Sequence, residues 1–284
     1  MQSNNPVFRR SEEFNRGGAN AYGNQTYAGT DPAQWGTGAP GAPSQAPVTT
    51  GPMTIDSVVQ KTAITLGVVL LAAAATWVMT PDLSVSTEPE DLAPLFAALT
   101  IGSLGAFVLS MVNSFKRVIS PPLVLAFAVL EGVALGALSK FFDSMFADAN
   151  GGSIVVQAVL GTFAAFGGTL AAYKFFNIQV GQKFRTFVIA AMFGMIALSM
   201  LEIVLSLFSS ELGLFGFGAM GLLFSVAGLV LGIFMLILDF DFVEQGVANR
   251  IPERESWRAA FAMTVSLVWI YTNLLRILAI LNSD

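Results

Sequence analysis

Long apolar runs separated by short polar segments dominate the chain after about residue 55. Each run is about 20 residues or longer, the length that an α-helix needs to cross the roughly 30 Å hydrocarbon core of a bilayer. The seven runs cover about 57–79, 93–115, 121–142, 153–173, 186–208, 214–239 and 257–281. The pattern therefore predicts an all-α membrane protein that folds as a bundle of seven transmembrane helices.

The N-terminal segment has a different composition. It is rich in Gly, Pro, Asn, Gln, Ser and Thr and contains no apolar run. Such a segment cannot bury enough apolar surface to offset the entropy lost on ordering. We predict two regions: a disordered cytoplasmic tail over 1–54 and a seven-helix transmembrane domain over 55–284.

Lysine and arginine residues are concentrated in the tail and in the second, fourth and sixth connections between the runs. They are Arg9, Arg10, Arg16, Lys116, Arg117, Lys174, Lys183, Arg185, Arg250, Arg254 and Arg258. The other connections carry the acidic residues Asp82, Glu88, Glu90, Asp91, Asp143, Asp148 and Glu211. By the positive-inside rule, this alternation predicts a cell-membrane protein with its N-terminus in the cytoplasm and Asp284 outside.

Pairs of glycines four residues apart occur inside two of the runs. They are Gly132 with Gly136 and Gly228 with Gly232. Small residues at this spacing let the backbones of neighbouring membrane helices approach closely. We expect each pair to lie at a helix–helix contact.

Carboxylates inside the runs are the strongest functional candidates. A charge at the bilayer centre costs about 2.5–3.5 kcal/mol, so its presence suggests a role. Glu131 lies about ten residues into the third run, roughly 15 Å deep at 1.5 Å per residue and hence near the midplane. We consider it a candidate for an ion path, and the alternative is a structural hydrogen bond between helices.

Asp239 and Asp241 end the sixth run. Residues two positions apart on a helix are separated by about 200° around its axis, so the two side chains should point to opposite faces. One can then face the bundle while the other faces lipid headgroups or water. Both are candidates for ion passage or gating, and the alternative is an ordinary helix end at the membrane interface.

Glu202 and Arg276 lie at matching depths in the fifth and seventh runs, near the ends away from the tail. Opposite charges at one depth predict an ion pair. We assign this pair a structural role rather than a catalytic one.

The composition excludes several kinds of chemistry. The chain has no His and no Cys, which excludes Ser-His triads and metal sites built on those residues. It also lacks Walker A and HExxH motifs. Acidic residues outnumber basic ones by 19 to 14, which argues against a nucleic-acid partner. We predict no enzyme, no catalytic residue, no cofactor and no metal site, with the lipid bilayer as the main partner.

Short motifs in three of the runs resemble the Bax inhibitor-1 family, and more closely its bacterial YccA-type branch. They are LEG at 130–132, LDFDFVEQG at 238–246 and WIYTNLLRIL at 269–278. The resemblance covers about residues 55–282 and not the tail. It implies a seven-helix bundle with the last helix near its centre.

The resemblance also implies a pH-sensitive calcium leak. In family members studied as channels, an Asp ending the sixth helix pairs with an Asp in the seventh and gates the pore. Asp239 or Asp241 matches the first position. The second falls on Ser266, or on Asn273 in a looser alignment, and neither is acidic. The resemblance therefore does not supply a two-carboxylate switch here.

Two interpretations remain. In the first, the protein is a pH-sensitive leak channel for calcium or other cations, with Glu131 and one of Asp239 and Asp241 along the path. In the second, it is a non-conducting interaction protein that modulates a membrane-anchored quality-control protease, with which other YccA-type members are associated, or a stress response. The missing second Asp favours the second interpretation, and the buried Glu131 favours the first. We adopt the channel as our prediction.

Overall fold

The computed structural model describes residues 51–81, 92–146, 153–176, 178, 180–208 and 211–283. Within these residues are seven α-helices long and apolar enough to cross a membrane. They are α1 (Ile55–Met79), α2 (Ala93–Phe115), α3 (Pro121–Phe146), α4 (Ile154–Phe175), α5 (Gln182–Ser206), α6 (Ala219–Ala248) and α7 (Ser256–Leu281). The predicted seven-helix membrane fold is confirmed.

Several residues used in the sequence predictions lie outside the described part of the chain. They are the tail up to residue 50, the loop acids Asp82, Glu88, Glu90, Asp91 and Asp148, and the C-terminal Asp284. The division into tail and transmembrane domain stays a prediction.

The sixth helix begins and ends later than its apolar run suggested. Residues 214–218 are not helical, because the preceding turn includes Gly213 in the left-handed region at φ 78°. At the other end the helix continues to Ala248, because Phe240 and Val243 still face the core at 6% and 8% exposure. The expectation that Asp239 and Asp241 end the helix is therefore wrong. Both lie about two turns inside it.

Helix α7 lies near the centre of the bundle. It packs against α6, α1, α4 and α3, and it has buried residues along almost its whole length. This agrees with the arrangement implied by the family resemblance. Helix α5 lies at the periphery and packs chiefly against α6.

Both glycine pairs lie at close helix contacts, as predicted. A Cβ atom on Gly132 or Gly136 would overlap backbone atoms of Val69 or Ala73 on α1. On α6, Gly228 leaves room for the Asn273 amide of α7, and Gly232 leaves room for Ile270 of α7. The glycines therefore bring α3 against α1 and α6 against α7.

Contacts between the connections separate the helix ends into two faces. On the N-terminal face, the Met53 amide donates to the Ile251 carbonyl at 2.7 Å, and Arg254 donates to the Ile119 carbonyl at 3.0 Å. On the opposite face, called the far face below, Lys140 donates to the Thr80 carbonyl at 2.6 Å. Successive helices thus run in alternate directions, as the loop charges require.

Candidate functional site

Asp239 and Ser266 form a direct hydrogen bond between α6 and α7. The Ser266 hydroxyl donates to the Asp239 carboxylate, with 2.6 Å between Oγ and Oδ2. Ser266 is 1% exposed and lies on the central helix. Of the two α7 positions considered for a gating partner, Ser266 is therefore the one that contacts Asp239.

Asn273 lies about two turns beyond Ser266 on α7 and makes different contacts. Its amide donates to the Trp269 carbonyl at 2.7 Å, and its side chain packs against Gly228. In the described part of the chain it makes no hydrogen bond to either aspartate. The alignment that placed the second gating position on Asn273 has no support in this geometry.

Asp241 points away from Asp239 and toward α5. Its carboxylate accepts hydrogen bonds from Arg185 and from Gln245, each at 2.7 Å. The two aspartates thus contact different helices, as their spacing predicted. The expectation that one of them faces water or headgroups is wrong for Asp241, which is 7% exposed and forms a salt bridge with Arg185.

Glu131 lies on α3 between two residues, Phe127 and Ser139, whose side chains contact α7. On one side the ring centroids of Phe127 and Phe261 lie 5.0 Å apart. On the other side the hydroxyl oxygens of Ser139 and Tyr271 lie 2.6 Å apart. Glu131 is therefore level with the part of α7 that carries Ser266. It is partly buried, and among the described residues it has no hydrogen-bond or salt-bridge partner.

Glu202 and Arg276 do not meet as a direct ion pair, so that prediction needs correction. Both side chains bind the backbone of residues 212–217, which we call the far-face loop. Glu202 accepts hydrogen bonds from three N–H groups of the loop, and Arg276 donates hydrogen bonds to the loop carbonyls of Leu214 and Gly216. The loop backbone lies between the two charges.

Three elements of this arrangement were not predicted from the sequence pattern. Arg185, the partner of Asp241, precedes the fifth apolar run and is therefore predicted in a loop, but it lies within α5, which begins at Gln182. The Ser139–Tyr271 contact has no recognisable pattern in sequence. Residues 214–217 of the far-face loop fall inside the sixth apolar run, although three glycines in residues 213–218 indicate a turn. In the described residues no group of three or more acidic side chains is arranged to hold a metal ion.

The chain matches the model of a protein family described as Bax inhibitor 1 like over residues 5–283. This match covers almost the whole sequence, and the chain therefore belongs to that family. It is a multi-pass membrane protein. The match begins well before α1, so the similarity extends into the predicted tail, in contrast to the resemblance drawn from motifs alone. No curated protein matches the chain.

Proposed function

We propose that this protein is a leak channel for calcium or other cations, sensitive to pH, and that it is not an enzyme. The observation that carries the proposal is the partly buried Asp239–Ser266 contact between α6 and the central α7, with Glu131 at the same level on α3. Calcium prefers oxygen ligands. Two carboxylates and a hydroxyl in an otherwise apolar bundle are suitable groups for a passing cation.

The polar groups continue from that level toward the far face. Tyr271 lies about one turn beyond Ser266 on α7, and its hydroxyl shares a hydrogen bond with Ser139 of α3. Both residues are buried. Hydroxyl groups can both donate and accept hydrogen bonds, so they suit a hydrated path better than apolar side chains would. Glu131 lacks a partner among the described residues and is thus free to bind a cation.

In this proposal the N-terminal face lies in the cytoplasm and the C-terminus lies outside, in the cell membrane. Basic residues on the N-terminal face support this orientation. The motifs at 130–132, 238–246 and 269–278 support membership of the YccA-type branch.

Calcium flux into proteoliposomes across a range of pH tests the proposal. We expect flux that depends on pH, and we expect the pH dependence to be weaker in Glu131→Gln. The chain has no His, so the carboxylates are the first side chains to test for titration near neutral pH. Val129→Gln, on an exposed position of the same helix, is the control for inserting an amide. Well-folded protein without flux at any pH would refute the channel.

A second function is favoured by one observation, the neutral Ser266 opposite Asp239. A single carboxylate cannot form the two-carboxylate switch of the family's channels. The protein would then be a non-conducting partner that modulates a membrane-anchored quality-control protease or a stress response. Capture of such a protease by full-length protein, and loss of capture when residues 1–50 are removed, would support this function.

A further inference from the structure

The far-face loop is held by its backbone from the α5 side. The Glu202 carboxylate accepts hydrogen bonds from the backbone N–H groups of Leu212, Gly213 and Leu214, each with 3.0 Å between nitrogen and oxygen. Glu202 itself is 3% exposed. Hydrogen bonds to a charged acceptor are stronger than neutral ones. Three of them on successive amides fix the course of the main chain at this turn.

Arg276 holds the same loop from the α7 side. Its guanidinium donates to the Leu214 carbonyl and, at 3.1 Å, to the Gly216 carbonyl. It also lies over the Phe215 ring, 5.7 Å from the ring centroid. The central helix and the peripheral α5 are thus connected through one short loop.

Aromatic side chains of the loop extend its contacts across the end of the bundle. The Phe217 ring lies 4.7 Å from that of Phe146 on α3, and the Phe215 ring lies 6.3 Å from that of Phe224 on α6. Leu214 is 6% exposed. The loop therefore contacts α3, α5, α6 and α7 together, and it meets the central helix at Arg276.

We propose that the far-face loop is a lid, held closed by Glu202 and Arg276, and that cation passage requires it to open. The proposal rests on the channel function for its second half only. The lid itself can be tested without any flux. Its release would expose the far-face end of the α3–α7 interface, and the Ser139–Tyr271 hydroxyl contact lies deeper along the same interface.

The absence of cysteine from the chain gives a direct test of the lid. Leu214→Cys would be the only thiol, and a membrane-impermeant maleimide would report its exposure in nanodiscs, where both faces are accessible. We expect labelling to be about tenfold faster when Glu202→Gln is added, because the loop loses hydrogen bonds to a charged acceptor. Glu211→Gln, an exposed carboxylate beside the same loop, is the matched control. We expect it to leave the rate unchanged.

Calcium flux in proteoliposomes tests the second half of the proposal. We expect Glu202→Gln to increase flux several-fold and Glu211→Gln to leave it unchanged. Equal labelling of Leu214→Cys with and without Glu202→Gln would refute the lid. Faster labelling with unchanged flux, in protein that conducts, would refute its gating role. Faster labelling in protein that never conducts would support the lid and refute the channel.

Phe217→Ala provides a second variant that keeps both charges in place. It removes the ring contacts with Phe142 and Phe146, so we expect faster labelling of Leu214→Cys, about threefold, with the fold preserved. Phe208→Ala, an exposed ring in the same connection, is the control. Identical labelling rates for the two phenylalanine variants would contradict the proposal.

Discussion

Asp239 and Glu202 are both carboxylates inside an apolar bundle, but their surroundings differ. Glu202 accepts hydrogen bonds from three backbone N–H groups, and such groups can only donate hydrogen bonds. Asp239 is joined to the Ser266 hydroxyl, which can donate to a carboxylate or accept from a carboxylic acid. The hydrogen bond at Asp239 can therefore survive a change of protonation, whereas the contacts of Glu202 require acceptor oxygens. This difference suits Asp239 to switching and Glu202 to holding structure.

The largest expected effect is the loss of stability in Glu202→Ala. Three N–H groups, one buried and two partly buried, would lose their acceptor, at about 1–3 kcal/mol for a buried group left unpaired. We expect the free energy of unfolding to fall by about 3–5 kcal/mol, as when one partner of a buried charge contact is removed. Denaturant unfolding in detergent measures it. Glu211→Ala should change stability by less than about 0.5 kcal/mol. Similar losses in both variants would show that Glu202 does not hold the loop.

The sequence revealed the charges at this end of the bundle but not the way they interact. Matching depths of Glu202 and Arg276 follow from residue counts along two helices. The loop that separates them binds through backbone groups, and such contacts leave little trace in side-chain patterns. The seven helices were predictable because a bilayer imposes one length and one polarity on every span.

The Asp239–Ser266 contact was partly predictable and the Asp241–Arg185 salt bridge was not. Family motifs placed Ser266 opposite the sixth-helix aspartates, and the structure identifies Asp239 as its partner. Arg185 lies in the first turn of α5, which begins at Gln182, four residues before the fifth apolar run. A helix that begins in polar residues is hard to distinguish from a loop by hydropathy alone.

The next largest expected effect is the loss of stability when the salt bridge of Asp241 is removed. Asp241→Asn removes the charge that pairs with Arg185, whose side chain is 22% exposed. We expect a loss of about 1–3 kcal/mol, between the values for exposed and buried pairs. Glu244→Gln, an exposed carboxylate on the same helix that accepts from Tyr173, should lose less than about 1 kcal/mol. Thermal unfolding of the two variants compares them. A smaller loss in Asp241→Asn would contradict the salt-bridge assignment.

A smaller but pH-dependent effect is expected when a second carboxylate is placed opposite Asp239. In Ser266→Asp the doubly ionised pair would repel, by at least about 1 kcal/mol for charges about 4 Å apart in a water-like dielectric. One shared proton removes that repulsion, and the pair then titrates as a unit. The variant should therefore be less stable at high pH than at low pH. Unfolding across pH measures the effect, with the neutral Ser266→Asn as the control. Parallel pH profiles for the two variants would refute close approach of the carboxylates.

The smallest effect on stability, and the sharpest test of the comparison, is expected for Asp239→Asn. The amide oxygen can still accept the Ser266 hydroxyl, so the contact is kept and the loss should stay below about 1 kcal/mol. The group that can gain or lose a proton is removed. If Asp239 contributes to the switch, calcium flux through Asp239→Asn will depend less on pH than flux through the unsubstituted protein, whereas flux through Asp241→Asn will vary as before. Because both changes replace Asp by Asn on α6, two residues apart, each controls for the other. Equal flattening of the two pH profiles would remove the functional distinction between the aspartates, and an unchanged profile in Asp239→Asn would leave Glu131 as the carboxylate to test next.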